Sequence, residues 1–180
     1  MASLEFLIHL ISNSPNKMLK ILGIDPGFGR VGWGVIEKKN GEWTAVDWGC
    51  IETSPKKNFI DRLKEIHCAV AFLIKKYQPE RIAVEDLFFA KNVKTAMKVG
   101  EARGVILLTC VQAGVQVDEF TPLQVKQAMT GYGRAEKGQV QKMIKILLKI
   151  HKKITPDDAA DALAVALTGG VSAKLKKFCN

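Results

Sequence analysis

Short apolar runs separated by turn residues fill the first third of the chain, and this pattern is typical of β-strands. Such runs predict five strands in the whole chain, at residues 19–25, 31–38, 43–52, 81–84 and 115–120. Asn40-Gly41, between the second and third runs, is a strong signal for a two-residue hairpin. We therefore expect the first three strands to pair as an antiparallel meander.

Apolar residues spaced three and four positions apart predict helices in the remaining segments. We expect these helices at residues 58–77, 93–112, 137–152 and from Thr155-Pro156 to Gly169-Gly170. A further helix should begin at Thr121-Pro-Leu-Gln124, which matches a capping box with proline at the first helical position. A meander followed by alternating helices and strands predicts an α/β domain, with a five-stranded mixed sheet flanked by helices.

The glycines of the first turn raise the question of a nucleotide site. Gly27, Gly29 and Gly32 match the spacing G-x-G-x-x-G of dinucleotide-binding loops, which requires a strand before the motif and a helix after it. Residues 31–36 instead combine further glycine with β-branched and aromatic residues, which favour a strand. The segment therefore predicts strand, turn and strand rather than an NAD site, and it leaves Asp25 at the end of an apolar strand.

The amino-acid composition favours a negatively charged binding partner. The chain has 180 residues, enough for one well-buried domain, and a net charge of +9. Its basic excess is concentrated in residues 126–153, which favours a binding face for a polyanion, with a membrane surface or mere solubility as alternatives. The cysteines are scattered without a C-x-x-C pair, which predicts free thiols in a reducing cytoplasm.

Residues 1–17 differ from the rest of the chain. Their apolar part, residues 4–11, is too short to span a membrane and lacks the basic flank of a signal peptide. We expect a dispensable N-terminal extension, and an amphipathic interaction helix is the alternative.

Acidic residues stand at three boundaries of the predicted elements. Asp25 ends the first strand and Glu85 ends the fourth. These two strands can lie side by side, so that both acids reach the edge where ligands of open α/β sheets bind. Asp158 and Asp161 lie near the start of the last helix and share a face because they are three residues apart. Each acid alone has a plain explanation, as a turn residue, a solvated strand end or a helix cap.

Together, four carboxylates in one place repel each other, and hard divalent cations such as Mg²⁺ or Mn²⁺ relieve that repulsion. Two such ions about 3.5–4 Å apart stabilise the attacking and leaving oxygens of a phosphoryl displacement. The combination therefore predicts metal-dependent hydrolysis of a phosphate ester.

With these residues assembled, the chain resembles the RuvC Holliday junction resolvases. The matching stretches, in the order of the family, are ILGIDPG with GWGVIE, AVEDLFFAKN, KVGEARGV, VKQAMTGYGRAEKGQVQKMI and DDAADALAVAL. The resemblance implies a ribonuclease H-like nuclease domain over residues 18–171, followed by a short basic tail at 172–180. Its catalytic, metal-binding residues would be Asp25, Glu85, Asp158 and Asp161.

The resemblance also implies what the protein does and with what it assembles. It implies a homodimer in the cytoplasm that resolves four-way DNA junctions by symmetric paired cuts, in homologous recombination and DNA repair. Two Mg²⁺ ions per site, replaceable by Mn²⁺, would serve the hydrolysis, and the RuvA-RuvB branch-migration complex would be a partner. No membrane is expected to take part.

DNA contacts are expected beside the acids. The residues predicted to contact DNA are Phe88, Phe89, Lys91, Lys126, Arg134 and Lys137. The phenylalanines can stack on bases unpaired at a crossover, although burial in the core is the alternative for both. A lysine face on the 137–152 helix, again with mere solvation as the alternative, is expected to comprise Lys137, Gln141, Lys145, Lys149 and Lys152.

Other functions are weighed against this one. The helix over 93–112 could form a self-complementary dimer face or only pack on its own sheet, and the resemblance to RuvC favours dimerisation through this region. A related ribonuclease H-like nuclease that processes structured RNA is the alternative enzyme, and an inactive junction-binding module is the alternative without catalysis. An actin-like ATPase would need a second lobe, for which the chain is too short.

Overall fold

The computed structural model describes residues 19–87 and 93–178, and the side chains of residues 19–87 and 96–172. Its strands are β1 (Leu19–Asp25), β2 (Arg30–Lys39), β3 (Glu42–Glu52), β4 (Arg81–Glu85) and β5 (Gln116–Phe120). They form one sheet in the order β3-β2-β1-β4-β5, with β1–β2 and β2–β3 antiparallel and β1–β4 and β4–β5 parallel. The predicted meander and the mixed five-stranded sheet are confirmed.

Turn residues act as the sequence predicts. Asn40 and Gly41 both have positive φ, at 51° and 86°, which is the backbone that a tight hairpin between two twisted strands requires. The glycine-rich segment after β1 leads into β2 and not into a helix, so the prediction of strand, turn and strand is confirmed and the dinucleotide motif is accidental.

The helices are α1 (Phe59–Tyr77), α2 (Val93–Gln112), α3 (Pro122–Thr130), α4 (Lys137–Leu147) and α5 (Asp157–Phe178). Asn58 caps α1 by accepting a hydrogen bond from the backbone N–H of Asp61. The predicted capping box of Thr121 and Gln124 begins α3. Among the helices of the described residues, none is long and apolar enough to cross a membrane.

The prediction of one helix over 137–152 is wrong, because α4 ends at Leu147. Leu148 and Ile150 are both buried, and Lys149 between them has a positive φ of 56°. A continued helix would point these two apolar side chains in different directions, so the chain leaves the helix to bury both. The residues that consequently leave the predicted helix face are Lys149 and Lys152.

The last helix does not end at Gly169 and Gly170, where the sequence predicts its end, but continues to Phe178. A Cβ at Gly169 would lie 3.0 Å from the Cβ of Ala83, and one at Gly170 would lie 2.4 Å from the ring of Trp43. These glycines therefore allow the helix to approach the sheet closely and do not terminate it.

Close packing of α5 on the sheet positions the acidic residues. A Cβ at Gly23 of β1 would lie 2.1 Å from the carbonyl oxygen of Ala162, so helix and strand touch backbone to backbone. One hydrophobic core fills the space between this face of the sheet and α3, α4 and α5, and a second lies under α1 and α2 on the opposite face. As a result the first turns of α5 are held over the ends of β1 and β2.

Candidate active site

Asp25 and Glu85 meet at the carboxyl edge of the sheet. Their strands pair in parallel with Ile24 opposite Val84, so the next residues are neighbours, and their side chains share a hydrogen bond. Burial, followed by the charge of Glu85, raises the pKa of the Asp25 carboxyl to about 8. Burial also raises the pKa of Glu85, while the hydrogen bond from Asp25 opposes that rise. The protonated Asp25 carboxyl is therefore the donor of this hydrogen bond, and the Glu85 carboxylate is the acceptor.

The first turns of α5 bring the other two predicted carboxylates to the same edge. Gly32 pairs with Asp25 across β1 and β2, and a Cβ there would lie 2.1 Å from the carbonyl oxygen of Asp158. The negative charges of Asp161 and Asp158 both add to the rise in the pKa of Asp25. The structure thus places all three other acids within electrostatic reach of Asp25.

Two protein cations neutralise the carboxylates of the helix. Oδ2 of Asp158 lies 3.0 Å from an Nη of Arg30, and Oδ2 of Asp161 lies 2.8 Å from Nζ of Lys137. The hydrogen bond to Asp161 raises the pKa of Lys137, so this lysine is charged at neutral pH. Each carboxylate of the helix is therefore paired with a cation, and the shared proton removes one of the two negative charges at the sheet.

The donor set suits a hard divalent cation, although the side chains face their neutralising partners instead. Among the side chains of residues 19–87 and 96–172, no cluster of three or more acidic, histidine or cysteine residues is arranged to hold a metal ion. All four acids offer carboxylate oxygen, which is the ligand type that Mg²⁺ and Mn²⁺ prefer. Because buried like charges repel, a cation would replace the shared proton and the ion pairs as the source of neutralisation.

Three predicted DNA contacts can be placed in the structure. Lys126 and Lys137 flank the acids, since the positive charge of each lowers the pKa of Glu85. Arg134 is exposed in the loop between α3 and α4. The predicted contacts that lie outside the described residues are Phe88, Phe89 and Lys91.

Two arginines beside the acids were not among the predicted site residues. Arg30 begins β2 and reaches Asp158. Arg103 of α2 donates from Nε to the backbone carbonyl of Glu85 at 3.4 Å and forms ion pairs with Asp86 and Glu119. Arg103 lies in the matching stretch KVGEARGV and could have been suspected from it, whereas Arg30 matters only because α5 packs over β2.

Comparison with known proteins identifies the family of this chain. The model of the family described as crossover junction endodeoxyribonuclease RuvC matches residues 21–169. The chain belongs to the RuvC family. The crossover junction endodeoxyribonuclease RuvC of Halothermothrix orenii is 52% identical over 157 residues, which cover 87% of this chain and 95% of the relative. That of Petrotoga mobilis is 55% identical over 150 residues, covering 83% and 92%.

Solved structures of RuvC agree with the fold. Thermus thermophilus RuvC in complex with a Holliday junction substrate has a TM-score of 0.83 at 36% identity, covering 88% of this chain and 96% of that one. The yeast mitochondrial Holliday junction resolvase Ydc2, at 13% identity and a TM-score of 0.60, supports the fold alone. The predicted ribonuclease H-like fold and the RuvC resemblance are confirmed, and the alternative of an RNA-processing nuclease is not favoured.

Proposed function

We propose that this RuvC chain resolves four-way DNA junctions by hydrolysing phosphodiester bonds in symmetric paired cuts, in homologous recombination and DNA repair. Relatives that are crossover junction endodeoxyribonucleases, about half identical over most of the chain, support the reaction and the substrate. The observation that carries the mechanism is the gathering of the other three acids around Asp25 at the sheet edge.

Asp25, Glu85, Asp158 and Asp161 are the proposed catalytic residues and would hold two divalent cations, Mg²⁺ or in its place Mn²⁺. Bound there, the cations would supply Lewis acidity toward the phosphate and the attacking water. The protein's own part is to present ionised oxygens, so the proton on Asp25 has to leave as the metal enters. Because the pKa of Asp25 is raised to about 8, metal uptake at neutral pH is coupled to proton release.

Basic residues beside the acids would hold the DNA backbone. Lys126, Arg134 and Lys137 are the proposed phosphate contacts among the described residues, and such contacts position a duplex without reading its bases. Phe88 and Phe89, followed by Lys91, stay predictions for stacking at the crossover. Besides its proposed phosphate contact, Lys137 forms an ion pair with Asp161. DNA binding and the neutralisation of the Asp161 carboxylate are therefore linked through this side chain.

A basic groove extends this surface away from the acids. It has a volume of about 590 Å³ and is lined by Lys142, Lys145, Ile146, Lys149, Ile150 and His151. Lys145 follows Lys137 by two turns of α4, which is about 12 Å along the helix axis. That distance equals three to four base pairs of duplex, at about 3.4 Å each. We include the groove as a contact to a junction arm beyond the crossover.

A homodimer is part of the proposal, because a two-fold dimer presents two sites to the two strands that are cut. Helix α2 supports it with the exposed apolar side chains of Met97, Leu108 and Val111 and with open space beside Gly104. The proposal also includes a cytoplasmic location and the RuvA-RuvB complex as a partner. The nuclease domain would cover residues 18–171, between a dispensable segment at 1–17 and a basic tail at 172–180.

The test is cleavage of a synthetic four-way junction with Mg²⁺, with products mapped on all four strands. We expect paired cuts at symmetric positions on two opposed strands, and no cuts in linear duplex or in a structured RNA. Asp25→Asn and Glu85→Gln should abolish cleavage while junction binding in a gel-shift assay survives. Cleavage of the RNA instead of the junction, or normal cleavage by either variant, would contradict the proposal.

A further inference from the structure

Arg30 contacts one of the four acids directly and has no role in the mechanism so far. One Nη of its guanidinium lies 3.0 Å from Oδ2 of Asp158 and 3.6 Å from Oε1 of Glu52. The side chain of Arg30 is 49% exposed, compared with 69% for Glu52 and 31% for Asp158. The Asp158 contact is thus the shorter and the less solvated of the two, and it is the one that salt screens less.

Strand geometry explains why this arginine reaches the acid. Side chains two residues apart on a strand point to the same face, so Arg30 and Gly32 both face α5. At Gly32 the backbone of Asp158 occupies the place of a side chain. Arg30 lies on the same face of β2 as Gly32, two residues nearer to solvent. It is therefore the nearest position of this strand at which a side chain fits and can reach the Asp158 carboxylate. Across the strand pair it stands opposite Glu52.

We propose that Arg30 is a positioning residue that holds Asp158 in the free protein and turns to a DNA phosphate when a divalent cation takes up that carboxylate. The inference rests on the proposed function, because it takes Asp158 as a metal ligand. A guanidinium carries five donors and pairs with phosphate as well as with carboxylate, so Arg30 and Asp158 would each gain a new partner in the exchange. Glu52, the other partner of Arg30, is exposed to solvent. Its half-exposed position at the edge that would face the cut strand allows that exchange without a change of fold.

The first measurement is Ca²⁺ binding by calorimetry in the absence of DNA. Arg30→Gln should bind Ca²⁺ about tenfold more tightly than wild type, since the ion pair that competes with the cation for the Asp158 carboxylate is removed. In the Asp158→Asn background the same substitution should have little further effect, because the pair is already absent. Lys76→Gln removes an equal charge at the far end of α1 and should leave Ca²⁺ affinity unchanged.

The second measurement is junction affinity in Ca²⁺, by fluorescence anisotropy over a series of salt concentrations on DNA that a gel shows to be uncut. Arg30→Gln should weaken binding about tenfold and reduce the slope of log affinity against log salt by about one, as expected for one lost phosphate contact. Arg30→Lys keeps the charge and should restore most of the slope. Lys76→Gln should match wild type.

Each part of the proposal is contradicted by a different experimental result. Unchanged Ca²⁺ affinity in Arg30→Gln, or an equal gain in the Asp158→Asn background, would overturn the proposed competition at Asp158. Tighter Ca²⁺ binding with unchanged junction affinity would overturn the exchange to phosphate. If wild type itself binds neither Ca²⁺ nor the junction, the proposed function fails, and the inference about Arg30 fails with it.

Discussion

Replacing Asp25 with asparagine should stabilise the metal-free protein, and the gain should grow with pH. The carboxyl of Asp25 has an ordinary pKa of 3.8 and a pKa of about 8 in the folded chain, because it is buried and faces other carboxylates. Between those two values the folded state keeps a proton that the unfolded state has released. Stability therefore falls as the pH rises through this window, since deprotonation favours the unfolded chain.

The size of the effect follows from the width of the window. Each pH unit inside it changes the free energy of unfolding by about 1.4 kcal/mol. From about pH 5 to about pH 7, wild type should lose roughly 2–3 kcal/mol relative to Asp25→Asn, because the asparagine cannot titrate. The amide of the variant can still donate a hydrogen bond to Glu85, so the packing of the pair is kept.

The measurement is urea unfolding with EDTA present, at several pH values inside this window. Asp157→Asn is the matched control, because it removes a carboxylate from the start of α5, next to the other acids, at a side chain that is 67% exposed. Its effect should stay within about 0.5 kcal/mol across the series. A gain for Asp25→Asn that does not change with pH, or a loss of stability, would refute the claim that this carboxyl holds its proton in the folded protein.

Three further outcomes test the DNA contacts and the dimer. Phe88→Ala should slow junction cleavage more than it weakens duplex binding, because stacking on an unpaired base contributes about 1–3 kcal/mol, and equal losses in the two assays would reject stacking. Lys145→Gln should lower the salt slope of junction binding by about one while Lys76→Gln does not, and identical slopes would remove the groove from the DNA surface. Leu108→Glu should shift the protein toward monomer in sedimentation equilibrium by burying a charge at an apolar face, and an unchanged dimer would exclude α2 as the interface.

The sheet and the position of its acids could be predicted because both depend on local signals. Asn40-Gly41 marks a hairpin whatever surrounds it, and a strand of apolar residues that ends in Asp25 or Glu85 points its acid to the sheet edge by simple continuation. The neighbouring positions of β1 and β4 follow from one crossover connection, which leaves few arrangements to choose from.

The errors of prediction lie where tertiary packing overrides a local signal. Periodicity continues past Leu147, but the burial of Leu148 and Ile150 ends α4 there. Gly169 and Gly170 match a helix stop, yet they are small because α5 presses against the sheet at that point. Nothing in the local sequence distinguishes these two uses of glycine.

The ion pairs of the acids were also beyond the sequence, and they bear on how the site takes up its metal. Asp158 pairs with Arg30, Asp161 pairs with Lys137, and Asp25 shares its proton with Glu85. One negative charge remains at the sheet edge, where Lys126 and Lys137 oppose it. Arginine and lysine are also the residues that pair with phosphate.

Arrival of DNA and of divalent cations can therefore proceed as an exchange of partners, in which phosphate receives the protein cations and the metal receives the carboxylates. Under this scheme the charge near the cut changes little at any stage, which avoids the desolvation cost of a buried unpaired ion. It also makes metal and junction binding mutually favourable, because each releases the partner that the other needs. The basic residues next to the acids would then control metal binding by the carboxylates, in addition to increasing the affinity for DNA.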